Sequence, residues 1–119
     1  GKGENKLAQT WPVSAMVESI VGCKWSMSVL RLIHTGVRRP GAMQREVDGL
    51  STKVLNERLR KLLRFGIVTK KSYPEIPPRV EYRLTPFGRQ FVALMEEVDR
   101  LQRRLDQTRA TGRGRRRSG

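Results

Sequence analysis

Residues 50–66 read LSTKVLNERLRKLLRFG, and the signals at its two ends make this the most sharply bounded helix of the chain. Ser51 or Thr52 supplies a side-chain oxygen that accepts from a free amide of the first turn. Gly66 supplies the residue that enters the left-handed region where helices stop. At about 100° per residue, Val54, Leu55, Leu59, Leu62 and Phe65 fall on one broad arc, and Lys53, Asn56, Glu57, Arg60 and Arg64 fall on the opposite one. One face is core, and the other is basic and meets water. Arg58 lies on the apolar arc, where it snorkels or pairs with an acid such as Glu81.

Upstream of this helix, Asp48-Gly49-Leu50 reads as a tight turn, because Asp-Gly favours the positive φ that such turns need. A short helix from about Pro40 to Val47 precedes it. Before that, Trp25 to His34 is apolar on most sides, as a central core helix is, and it ends near Gly36. Val13, Val17, Ile20 and Val21 recur at three- and four-residue spacing and predict a first helix that stops at Gly22.

Downstream of Gly66 the period changes from 3.6 to 2. Ile67 to Tyr73 and Val80 to Leu84 are rich in β-branched and aromatic residues, and Pro74-Glu75-Ile76-Pro77-Pro78 joins them, so the stretch predicts a two-stranded hairpin. Lys70, Lys71, Arg79 and Arg83 decorate it. Thr85-Pro86 then offers a capping residue followed by proline at the first helical position, which starts a last helix of about twenty residues. Its Phe87, Phe91, Leu94, Val98, Leu101 and Leu105 follow the a/d alternation of a coiled-coil seam. A partner helix is the simplest cover for that seam, and packing back onto its own domain is the alternative.

The 119 residues suffice for one domain. Lys and Arg number 25 against 11 Asp and Glu, a formal net charge of +14. So large an excess is tolerated when the partner is a polyanion, which disfavours an enzyme of neutral substrates. Residues 51–85 alone hold nine basic groups against three acids. The polar residues 1–10 are read as a flexible N-terminal segment, 11–107 as the folded unit and 108–119 as a disordered basic tail. No stretch has the length and apolarity of a membrane span or the apolar core of a signal peptide, so a cytoplasmic protein without membrane attachment is expected.

The order of three helices, a turn, a helix, a hairpin and a helix is that of a winged helix-turn-helix, mainly α with a small β-hairpin. Val21-Gly22-Cys23-Lys24-Trp25, the Leu50 to Leu62 stretch, Tyr73-Pro74-Glu75-Ile76-Pro77-Pro78-Arg79-Val80-Glu81-Tyr82 and Leu84-Thr85-Pro86-Phe87-Gly88 resemble the successive signatures of the HxlR-type transcriptional regulators. The likeness covers roughly residues 13–101, and the hairpin is its most distinctive part. The resemblance implies a homodimer, built from flanking N- and C-terminal dimerisation helices, that binds an operator in double-stranded DNA. It also implies that the helix of 51–65 enters the major groove and that the wing of 67–84 lies on the backbone or minor groove.

On that reading Ser51, Thr52, Lys53, Asn56, Glu57 and Arg60 are the candidates for contact in the groove. Asn56 suits adenine, and Lys53 or Arg60 suits guanine. Arg64, Lys70, Lys71, Arg79 and Arg83 are expected to neutralise phosphates and set register. Val13, Val17, Phe87, Phe91, Leu94, Val98, Leu101 and Leu105 are expected to form the dimer contact. Arg113-Gly114-Arg115-Arg116-Arg117 reads as a nonspecific polyanion tether, with a minor-groove arm as the alternative.

Cys23 is the one redox handle, in a place where the family usually has glycine, and an inert buried thiol is the plainer reading. His34 has no second ligand at metal spacing, so no metal site, and likewise no cofactor or catalytic constellation, is expected. Trp11, Trp25 and Phe91 either line a pocket for an unidentified small-molecule effector or are plain core. The competing function is an architectural DNA-binding or RNA-binding protein that uses shape and charge without strong sequence preference.

Overall fold

The structure, a computed structural model, describes residues 11–118, with side chains described as far as Thr111. Residues 1–10, expected to be flexible, lie outside the described residues. In chain order the elements are α1 (Val13–Gly22), α2 (Ser26–His34), α3 (Pro40–Glu46), α4 (Thr52–Arg64), β1 (Val68–Tyr73), β2 (Arg79–Leu84) and α5 (Pro86–Ser118). This is the expected architecture, mainly helical with one antiparallel hairpin.

The core forms around α2, whose Val29, Leu30 and Ile33 are buried. Met16 and Ile20 of α1, Met43 of α3, Leu55, Leu59 and Leu62 of α4, and Phe91, Val92 and Met95 of α5 close on it from several sides. Burying each such side chain is worth about 1.5–3 kcal/mol. That is why the four short helices hold together, since none would persist alone in water.

The connection from α1 to α2 differs from expectation by one residue. Trp25 is not the first residue of α2 but its N-cap, at φ 75°. The chain must reverse within three residues there, and the left-handed turn falls on tryptophan. Its half-buried ring packs on the core, and the Lys24 ammonium sits 4.8 Å from the ring centroid. These contacts offset a conformation that costs a bulky residue about 1–3 kcal/mol.

The hairpin pairs Val68 with Leu84, Lys70 with Tyr82 and Tyr73 with Arg79. Val68 and Tyr82 are buried, so that face of the hairpin lies on the core. The opposite face presents Thr69, Lys71, Tyr73, Arg79, Glu81 and Arg83. A backbone bond of 2.8 Å from the Tyr82 N–H to the Arg38 carbonyl ties the edge of β2 to the α2–α3 connection. The start of α3 thereby comes beside the wing.

One joint fixes α5 to the rest. The Thr85 N–H donates to the Ile67 carbonyl at 3.0 Å, and the Thr85 hydroxyl donates to the Gly66 carbonyl at 2.7 Å. The same hydroxyl oxygen accepts from the Gly88 N–H at 2.8 Å, capping α5. Further along, Asp99 pairs with Arg31, and Glu96 lies 3.8 Å from His34 Nε2. These two acids therefore bind α5 to α2 and do not balance the arginines of α5 itself. Within α5 itself, Glu97 pairs with Arg100.

α5 is 33 residues long, against about twenty expected, and runs on past residue 108 to Ser118. Nothing between Pro86 and Thr111 breaks a helix, for the one internal glycine, Gly88, sits in the first turn. The overhang gives the molecule extents of 67 × 33 × 22 Å.

Candidate nucleic-acid interface

The N-terminus of α4 is built as its sequence demands. Ser51 has extended backbone angles, and its hydroxyl accepts from the Val54 N–H at 3.2 Å. Gln44 of α3 donates to both the Leu50 carbonyl (3.3 Å) and the Thr52 hydroxyl (3.0 Å), which fixes the turn between the two helices. Gly49 carries the positive φ of that turn, 83°. Leu55, Leu59 and Leu62 hold the inner face of α4. Ser51, Thr52, Lys53, Asn56, Glu57, Arg60 and Arg64 are all exposed on the outer one. The structure thus brings every groove candidate onto one accessible helix face.

Two basic residues of α4 have other work. Arg58 Nε donates to the Lys24 carbonyl at 2.9 Å, and its guanidinium lies 3.9 Å from Glu57. The expected pairing with Glu81 is not made, because Glu81 stands on the outer face of the wing. Lys61 Nζ donates to the Ser19 carbonyl at 3.3 Å, in the last turn of α1. Both side chains satisfy backbone oxygens around the α1–α2 connection and face inward.

The outer face of the wing brings Lys71, Arg79 and Arg83 together with Glu81 in their midst, whereas Lys70, opposite Tyr82, stands on the other face. Arg83 Nη2 is 3.2 Å and Arg79 Nε 3.7 Å from Glu81 carboxylate oxygens. The Arg83 hydrogen bond holds the Glu81 carboxyl below its ordinary range, with the charges of Arg79, Arg83 and Arg39 acting in the same direction and desolvation opposing them. Burial pushes the Tyr82 hydroxyl up, while the charge of Arg60 lowers it, so α4 and the wing share one electrostatic environment. Arg79 is the least available of the wing cations. It also pairs with Glu75 at 3.1 Å and stacks 3.9 Å from the Tyr73 ring centroid. Lys70 and Lys71 are exposed.

Sequence reasoning missed Arg39 and Arg45. Both are exposed beside the wing tip, and with Arg79 they line a cleft of about 510 Å³. The signal was their place at the cap and in the last turn of the first helix of a helix-turn-helix, which the bond between β2 and Arg38 brings beside the wing.

The expected dimer residues divide. Phe91 is buried and Phe87 and Val17 are half-buried, whereas Val13, Leu94, Val98, Leu101 and Leu105 are exposed. Trp11 packs edge-on against Phe65 at 5.3 Å, and Phe91 lies 6.1 Å from Phe87. Cys23 is a half-buried free thiol between α1 and α2. Among the described residues no group of three or more His, Cys, Asp or Glu is placed to hold a metal ion, and no helix is long and apolar enough to cross a membrane.

A family profile described as HxlR-like helix-turn-helix matches residues 20–109. The chain belongs to that family. Among its relatives, the uncharacterised HTH-type transcriptional regulator sll1512 of Synechocystis is 42% identical over 90 residues, covering 76% of this chain and 66% of that protein. The uncharacterised HTH-type transcriptional regulator YtfH of Escherichia coli is 32% identical over 89 residues, covering 75% and 70% respectively. Among solved structures, a MarR-family transcriptional regulator of Enterococcus faecalis superposes with a TM-score of 0.71 at 33% identity, over 80% of this chain and 86% of that one. The reduced form of YodB from Bacillus subtilis superposes with a TM-score of 0.64 at 27% identity, over 76% and 88%. The HxlR-type chain is thus a winged helix-turn-helix transcriptional regulator that binds DNA.

Proposed function

We propose that this HxlR-type regulator binds an operator as a symmetric homodimer, each subunit placing the helix of 51–65 in the major groove and the wing of 67–84 on the adjoining backbone or minor groove. The observation that carries this reading is the one-sidedness of α4: three leucines are buried on one face, and six polar residues, with the Ser51 cap, are exposed on the other. A helix that shows such a face fits the major groove, and residues near its N-terminus meet base edges first. Asn56 is suited to bidentate pairing with adenine, and Lys53 or Arg60 to guanine N7 and O6. Arg64, Lys70, Lys71 and Arg83, together with Arg39 and Arg45, neutralise phosphates and set register. Arg79 contributes mainly by stiffening the wing.

The pairing of subunits rests on the stripe of Leu94, Val98, Leu101 and Leu105, which are 43%, 41%, 64% and 41% exposed. Val13 at 44% and Val21 at 59% add apolar surface on α1. A second copy is the cover that symmetry offers such a stripe. Acting on chromosomal DNA, the dimer works in the cytoplasm of a bacterial or archaeal cell.

Selection of bound sites from random duplex DNA tests the whole reading. A palindromic motif with a fixed half-site spacing is the expected result. Duplexes retained without any sequence preference would favour the architectural alternative and overturn this one.

A further inference from the structure

The wing displays one large apolar side chain that no part of the subunit covers. Ile76 is 102% exposed, as open as in an extended peptide. The chain around it is conformationally restricted. Prolines at 74, 77 and 78 restrict the backbone on either side. The Glu75 N–H donates to the Tyr73 carbonyl at 2.8 Å, and the Glu75 carboxylate pairs with Arg79, whose guanidinium lies on the Tyr73 ring. The cation nearest the tip is therefore committed inside the wing, and Ile76 is what the tip presents.

Its surroundings specify the partner. Ile76 shares its cleft with Arg39, Arg45, Arg79 and Glu75; Glu75 pairs with Arg79, so Arg39 and Arg45 give the rim around the apolar group a net positive charge. An apolar protein surface would have to desolvate those arginines, at a high cost. A DNA groove instead sets phosphates along its edges and the stacked bases between them. Apolar residues that enter the minor groove do so as wedges, partly separating a base step and bending the duplex.

We propose that Ile76 is such a wedge: it enters the minor groove beside the major-groove contact, with Arg39 and Arg45 on the flanking phosphates. It makes the operator's flanks selective for steps that unstack easily, TA and CA/TG. The inference rests on the proposed function, which it refines by naming a specificity residue outside α4.

The test is the random-duplex selection run with the wild-type chain, Ile76→Ala and Ile76→Met, with DNA bending measured by circularly permuted probes of the wild-type site. Wild type should enrich a flexible step at a fixed distance on each side of the core motif. Ile76→Ala should keep the core motif, lose the flank preference and the bend, and bind the wild-type site about tenfold more weakly. Ile76→Met should restore all three. Because the side chain is fully exposed, both variants should unfold at the wild-type temperature, and a clear drop in Tm would count against the inference. A core motif without flank preference in wild type, or an Ile76→Ala protein with unchanged preference, overturns the wedge while the regulator reading stands. Absence of a core motif in wild type overturns both.

Discussion

A Cβ added to Gly88 would lie 1.9 Å from the Ile67 carbonyl oxygen and 3.0 Å from its carbon. Both are backbone atoms held by the Thr85 joint, so neither can move aside cheaply. Gly88→Ala should therefore destabilise the fold by about 1–3 kcal/mol or more, read as a lowered urea midpoint at unchanged slope. The glycine is recognisable in the sequence within Leu84-Thr85-Pro86-Phe87-Gly88, but the close approach that requires it is not, because Ile67 is brought there by the hairpin. Glu81 yields a second prediction at this scale. Its folded pKa is lowered by Arg83 and then Arg79, so between the folded and unfolded values the unfolded chain binds more protons. The stabilisation is present above the unfolded pKa of about 4.3 and is lost as pH falls through the folded value. An NMR titration of the Glu81 carboxyl should find a midpoint below that of the unfolded chain, moved upward by Arg83→Ala.

At the scale of elements, α4 was legible nearly to the residue, because its cap, its stop and its two faces are all local properties of one short sequence. The face could be read; the use made of its borderline members could not. Arg58 and Lys61 sit on a helix that looks uniformly basic, yet they satisfy carbonyls 34 and 42 residues away. Those acceptors exist only once α1 and α2 have met at a left-handed tryptophan. Likewise the hairpin was plain from its period and prolines, whereas the conversion of Arg79 from a free cation into a strut depended on cross-strand register. The test of α4 follows from this division of its residues. A Lys53, Asn56 and Arg60 triple alanine variant removes only exposed side chains, so its circular dichroism and Tm should match wild type while its gel shift loses discrimination between the selected site and random duplex. Unchanged selectivity would show that another element reads the bases.

At the scale of the whole molecule, the radius of gyration of 17.7 Å exceeds the roughly 13–14 Å of a compact chain of this length, and the projecting end of α5 accounts for the excess. The heptad pattern was readable, but its division was not. The first turns of α5 bury Phe91 in their own core, and the later ones leave Leu94, Val98, Leu101 and Leu105 open. Leu94→Glu with Leu101→Glu should yield a folded monomer by sedimentation, with DNA affinity lowered at least tenfold through loss of the second contact. A double variant that still sediments as a pair would place the interface elsewhere.

The end of α4, the foot of the wing and the start of α5 meet in the Thr85 joint, which leaves little play between the helix proposed to touch bases and the part that would touch a second subunit. In the proposed pair, such a joint makes the protein a gauge. It would measure the distance between half-sites and would not stretch to accommodate it. An operator with one base pair inserted at its centre turns one half by about 34° relative to the other. A gauge of this kind would reject it as firmly as one whose letters had been changed.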